Sequence, residues 1–185
     1  MTPAQIPNAI TIARMVMALP LLWLLAEERF TQALWLALVA GASDALDGFL
    51  AKRYGWQSVL GGILDPIADK LLLSVCFFGL WWSAHLPTWL VAIVLVRDLV
   101  IVAGAFAWWR LTGSIKAAPT GISKLTTLMQ LVLVAMVLAH LAGLDIAPGW
   151  VQPLMLATAG VTLVSGLDYV LVYGKRAWRA KRGGR

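Results

Sequence analysis

Six long apolar stretches, parted by short polar interruptions, account for most of the chain: Ala9–Ala26, Thr31–Ala51, Ile63–Ser83, Pro87–Trp109, Gly121–Ala142 and Trp150–Tyr173. Each is close to the ~20 apolar residues a helix needs to cross the hydrocarbon core of a bilayer. The interruptions hold charges and turn formers, at Glu27–Phe30, Lys52–Gly62, Ala84–Leu86, Arg110–Thr120 and Gly143–Gly149. Connections this short make successive helices antiparallel. The pattern predicts an all-α integral membrane protein, with six transmembrane helices in a single domain over residues 1–185 and no large extramembrane part. No internal repeat is visible, which argues against a transporter built from inverted repeats.

Composition agrees with the pattern and charge adds an orientation. The 185 residues are 61% hydrophobic and 13% charged, where soluble domains run at roughly 45–50% and about 25%. A soluble globular domain and a disordered chain are both excluded. The net charge of +6 is unevenly spread. Lys52, Arg53, Arg110, Lys116 and the six basic residues of Lys175–Arg185 fall on the side of the two termini, and Arg29 alone falls opposite. The positive-inside rule then places both termini in the cytoplasm. The first thirteen residues carry no Lys or Arg, so the first stretch reads as an uncleaved helix rather than a leader. The basic tail is expected to set topology and touch anionic headgroups, with no nucleic-acid role.

The scarce acidic residues carry the chemistry. Asp44 and Asp47 lie near the cytoplasmic end of the second stretch, and Asp65 and Asp69 open the third. An ionisable group within a span costs ~2.5–3.5 kcal/mol on insertion scales and is functional by default. The i, i+3 and i, i+4 spacings put each pair on one helix face, and the short connection brings both pairs to one depth. Four carboxylates so close need counter-charge. Lys52, Arg53 and Lys70 supply part of it, and hard divalent cations such as Mg²⁺, Mn²⁺ or Ca²⁺ suit an all-oxygen shell. Such ions grip phosphates, and a pair of them can stabilise both the entering and the departing oxygen of a phosphoryl-type displacement. Gly48 and Gly61-Gly62 allow close approach of a ligand. A plain pair of structural Asp–Lys/Arg clusters would not need this spacing or these glycines.

The stretch Asp44-Ala-Leu-Asp47-Gly48-Phe-Leu-Ala51-Lys52, then eight residues, Gly61, three residues, Asp65, three residues and Asp69 resembles the signature of the CDP-alcohol phosphatidyltransferases. That pattern reads D-x-x-D-G-x-x-A-R, eight residues, G-x-x-x-D-x-x-x-D. Every spacing fits, and Lys52 stands where the pattern has Arg, with Arg53 next. Lysine keeps the charge but lacks the planar fork that grips phosphate. The resemblance implies a six-helix fold, usually a homodimer, that binds CDP-diacylglycerol and two divalent cations, Mg²⁺ or Mn²⁺, at the cytoplasmic face of a bacterial plasma membrane. It makes Asp44, Asp47, Asp65 and Asp69 metal ligands and Asp69 also the general base on the acceptor hydroxyl. Asp44, Gly48, Ala51, Lys52 and Gly61 would line the cytidine diphosphate site. The implied reaction displaces CMP by an alcohol.

Acceptor choice rests on cations elsewhere. Ile6-Pro7-Asn8-Ala9-Ile10-Thr11-Ile12-Ala13-Arg14 resembles the I-P-N-x-x-T-x-x-R opening of the phosphatidylglycerophosphate and cardiolipin synthases of this family. Arg97-Asp98 lies deep in the fourth stretch, and Ser123-Lys124 begins the fifth. Arg14, Arg97 and Lys124 are the candidate acceptor ligands. Glycerol 3-phosphate synthases often carry a second Arg two turns after the first, where this chain has Ala105. A phosphomonoester dianion wants that second cation more than a phosphodiester does. Phosphatidylglycerol, giving cardiolipin, is therefore favoured over glycerol 3-phosphate. A small cation transporter would spread its ionisable groups through the bilayer depth, and a non-catalytic assembly factor would have no need of Asp69.

Overall fold

A computed structural model of the chain describes residues 5–54, 59–112 and 121–183. Six helices follow in order: α1 (Gln5–Ala26), α2 (Phe30–Tyr54), α3 (Val59–Trp82), α4 (Thr88–Thr112), α5 (Gly121–Leu141) and α6 (Val151–Gly183). A single 3-10 turn at Pro148–Trp150 leads into the last. No strand occurs among the described residues. Among the described residues three helices, against the six expected, contain a segment long and apolar enough to cross a membrane, namely Ala9–Ala26, Gly121–Leu141 and Val151–Val172.

Several helices run past the ends of the hydrophobic pattern. The connection expected at Lys52–Gly62 is mostly helical, because α2 runs on to Tyr54 and α3 already begins at Val59. Asp65 and Asp69 therefore stand two to three turns inside α3, and Gly61-Gly62 lie within the helix rather than before it. Glycine costs ~1 kcal/mol in a helix interior. The basic tail likewise continues α6 as far as Gly183. Charged residues end a hydrophobic stretch without ending a helix.

Helices α1, α3 and α5 stop in the same way. Glu28 (φ 56°), Ala84 (φ 60°) and Gly143 (φ 85°) adopt the left-handed conformation. The next amide in each case reaches back to the last turn: Arg29 N–H to Leu24 O, His85 N–H to Leu80 O and Leu144 N–H to Ala139 O, at 2.8–3.0 Å. This satisfies carbonyls that a helix end leaves open. Only Gly143 does so without a Cβ penalty.

The chain divides into two compact units, Met1–Leu86 with Val134–Ala147, and Pro87–Leu133 with Pro148–Arg185. In the first, α1 packs on both α2 and α3. Its buried seam, Thr11, Arg14, Ala18, Leu21 and Leu25, alternates three- and four-residue steps, the spacing of a helix face turned to its neighbours. On α2 the facing residues include Ala33 and Ala40, small enough for close backbone approach. On α3 they include Ala68, Leu73, Cys76, Phe77 and Leu80. Gly79 of α3 is where Leu25 fits, since a Cβ there would lie 2.6 Å from Leu25 Cδ1 and 2.7 Å from its Cβ.

The second unit joins α4 to α6. Gly104 opposes Tyr169, whose ring would meet an added Cβ at 2.6 Å, and the Tyr169 hydroxyl donates to Ile101 O at 3.0 Å. Outward faces in both units are apolar: Leu19, Trp35, Leu99 and Leu167 are exposed. Such faces suit lipid rather than water. The chain is a membrane protein by this measure.

Candidate active site

The seam of the first unit is apolar over most of its length and turns polar at one end. Continuing α1's buried face toward its start reaches Arg14 and then Thr11. Four residues beyond Ala40 on α2 comes Asp44, and on α3 the same face arrives at Asp69 and Asp65. Arg14 is nine residues from the start of α1, Asp44 ten from the end of α2, and Asp69 ten from the start of α3. At 1.5 Å per residue all three sit roughly 15 Å in from their helix ends. The periodicity that builds the core thus delivers these groups to one level.

Arg14 Nη1 donates to Asp44 Oδ1 at 2.5 Å and to Asp69 Oδ1 at 2.8 Å. Thr11 Oγ1 donates to Asp65 Oδ1 at 2.6 Å. Exposure separates the partners: the Arg14 side chain is 1% exposed, against 41% for Asp44 and 48% for Asp69. The cation approaches from the interior, and the carboxylates keep an open side. Charge-assisted bonds of this kind are about twice as strong as neutral ones.

The acidic side chains offer the oxygen donors that hard cations take. All ligand candidates are carboxylate oxygens, the chemistry that Mg²⁺ and Mn²⁺ prefer. Two of those oxygens already converge on one positively charged nitrogen, so the carboxylates are arranged around a cation. Among the described residues no three acidic, His or Cys side chains are close enough together to hold a metal ion unaided. The side chains of Asp47, Ala51 and Lys52, and the surroundings of Gly48 and Gly61, lie outside the described residues.

The remaining candidates are in the second unit. Arg97 is buried, with Nη1 donating to Asp98 Oδ1 at 2.7 Å and Nη2 to Ser123 Oγ at 2.7 Å and Ser165 Oγ at 2.9 Å. Its stem lies over Gly166, 3.5 Å from where a Cβ would stand. Nε alone has no hydrogen-bond partner. Lys124 is exposed on α5, one residue past Ser123. Buried hydroxyl and amide groups continue the seam, with Gln130 Nε2 3.5 Å from Thr162 Oγ1 and Thr162 Oγ1 donating to Thr158 O at 2.6 Å.

Sequence reasoning grouped Asp44, Asp65 and Asp69 at one depth and set Arg14 apart as an acceptor ligand, and the structure places all four in one unit. It did not foresee Thr11 or Ser165 as partners. Thr11 carried a readable signal, since it precedes Arg14 by three residues and shares its face. Ser165 carried none, because a serine in an apolar helix has many ordinary uses.

Comparison with known proteins gives a concordant result. The model of the CDP-alcohol phosphatidyltransferase family matches residues 4–165. The chain is 32% identical to the cardiolipin synthase (CMP-forming) of Rattus norvegicus over 98% of its own length and 65% of that protein's. It is 33% identical to the chloroplastic CDP-diacylglycerol–glycerol-3-phosphate 3-phosphatidyltransferase 1 of Oryza sativa subsp. japonica, over 91% and 57%. It is 33% identical to the cardiolipin synthase (CMP-forming) of Homo sapiens, over 94% and 63%. The chain thus spans between 57% and 65% of the length of these relatives. With the match running through both the opening helix and the aspartate-bearing pair, the chain belongs to the CDP-alcohol phosphatidyltransferase family.

Proposed function

We propose that the protein transfers the phosphatidyl group of CDP-diacylglycerol to the hydroxyl of phosphatidylglycerol, releasing CMP and forming cardiolipin. The observation that carries this reading is the convergence of Asp44 and Asp69 on Arg14, with Asp65 held by Thr11, at one level of α1, α2 and α3. Asp44, Asp47, Asp65 and Asp69 are the residues that would hold two divalent cations, Mg²⁺ or Mn²⁺. When bound, such ions neutralise the diphosphate and make CMP a competent leaving group. Asp69, half exposed and hydrogen-bonded to Arg14, accepts the proton of the acceptor hydroxyl. The new bond joins that oxygen to the phosphatidyl phosphorus, and the bond from this phosphorus to the CMP oxygen breaks. Asp44, Gly48, Ala51, Lys52 and Gly61 line the nucleotide diphosphate. Arg14, Arg97 and Lys124 are assigned to the anionic acceptor.

The site works in a bilayer. All six helices span it in this reading, with both termini and the carboxylates on the cytoplasmic side of a bacterial plasma membrane, and the working form is a homodimer. A groove of about 360 Å³ between α4 and α6, walled by Val96, Val100, Leu163, Leu167 and Val170, has the apolar character an acyl chain needs. Phosphatidylglycerophosphate synthesis from glycerol 3-phosphate is the second reading, favoured by the similarity to the chloroplast enzyme.

The deciding experiment gives the purified chain CDP-diacylglycerol and Mg²⁺ or Mn²⁺ with each acceptor in turn, and follows CMP and the lipid product. Cardiolipin from phosphatidylglycerol is the expected outcome. Turnover with glycerol 3-phosphate alone would move the activity to the second reading. A folded sample that releases no CMP with either would overturn both.

A further inference from the structure

Asp44 and Asp69 belong to different helices, and each carboxylate accepts a hydrogen bond from the same nitrogen of Arg14. Bare carboxylates at this separation repel each other, and one would have to take up a proton or a cation to remain there. Arg14 meets that need from the buried side, at 1% exposure, while the carboxylates keep 41% and 48% of their surface open. A guanidinium stays charged at any ordinary pH, so its contribution does not switch off. The same fixed positive charge repels any second cation arriving on the open side.

We propose that Arg14 is a built-in counter-ion, a positioning residue that holds Asp44 of α2 and Asp69 of α3 together before metal arrives and sets a lower affinity for the metal that follows. This rests on the reading of those two aspartates as metal ligands. It gives α1 a task in the site distinct from acceptor binding: its buried face carries the charge that keeps two neighbouring helices in register. Thr11, one turn earlier, tethers Asp65 in parallel without adding charge.

The test compares melting of the full chain in detergent, with chelator and with Mg²⁺ alone as the probe, for wild type, Arg14→Lys and Arg14→Gln. In chelator Arg14→Gln should melt lowest. Adding Mg²⁺ should raise its midpoint by at least about 3 °C more than it raises wild type, a shift readily resolved for a chain of this size. Arg14→Lys, which keeps the charge, should gain no more than wild type. Equal gains in all three, or a smaller gain in Arg14→Gln, would overturn the proposal, since a packing role alone is indifferent to Mg²⁺. Should Arg14→Gln fold too poorly to melt, the pair Arg14→Gln with Asp44→Asn decides. Removing one negative charge along with the positive one should restore folding, and continued misfolding counts against a counter-ion. A wild-type Mg²⁺ gain that survives Asp44→Asn with Asp69→Asn would overturn the ligand assignment and this proposal with it. CMP release from the same wild-type sample separates that failure from a failure of phosphatidyl transfer.

Discussion

Among the described residues two arginines are buried in helices, one in each unit, and their surroundings differ in kind. Arg14 lies at the polar end of an otherwise apolar seam and faces carboxylates that are nearly half exposed. Arg97 lies among buried residues both polar and apolar, paired with an Asp98 side chain only 12% exposed and with two serine hydroxyls. Partners turned outward can exchange one cation for another, whereas partners turned inward hold helices together. Position of a charge relative to the surface, more than its identity, separates a site from a strut.

Breaking the first unit's carboxylates should have the largest effect, and most of it should fall on chemistry. Asp69→Asn keeps shape and can still meet Arg14, so it should fold. CMP release should drop by ~10²–10⁴, the usual worth of a general base. Release near the wild-type rate would remove Asp69 from that role.

The second unit should respond in stability instead. Arg97→Met removes the guanidinium that donates to the buried Asp98 carboxylate at 2.7 Å, and breaking a buried pair from one side costs ~3–5 kcal/mol. Thermal melts should show this loss, and the pair Arg97→Met with Asp98→Leu should recover most of it. In the recovered pair KM for the acceptor should rise if Arg97 also meets the acceptor's phosphate. An unchanged KM would leave Arg97 as a strut and pass the acceptor contact to Lys124.

Glycine substitutions sharpen the contrast at the helix contacts. Gly79→Ala sets a methyl 2.7 Å from Leu25 Cβ, an atom close to the backbone, so α1 and α3 must part. Overpacking of this sort costs ~1–3 kcal/mol. Gly104→Ala meets the Tyr169 ring at 2.6 Å, and the ring can tilt at the expense of its bond to Ile101 O. Melting midpoints should fall in both, further for Gly79→Ala. The smallest expected change is favourable: Ala84→Gly relieves the left-handed φ of 60° and should raise stability by ~1 kcal/mol.

Much of this was legible in the chain. Each apolar stretch corresponds to one of α1–α6, with α6 running ten residues past the expected end, while among the described residues only three of these helices hold a segment long and apolar enough to cross a bilayer. The aspartate spacing identified the acidic faces of α2 and α3. The helical ends near Tyr54 and Val59 were not legible, since Lys52, Arg53, Gly61 and Gly62 carry the marks of a loop. Nor was the engagement of Arg14. An anionic acceptor and an anionic side chain attract a guanidinium equally well, so its charge alone names no partner.

The sequence by itself determined the helical class, the membrane setting and the residues available for chemistry, because hydrophobic periodicity and the spacing of scarce carboxylates are local properties of the chain. Tertiary structure alone decided which charges meet. Arg14 and its aspartates are separated by 30 and 55 positions, Arg97 and Ser165 by 68. Contacts at such distances follow from which helix faces pack together, and packing is settled by the fit of whole seams rather than by any one residue's neighbours in sequence.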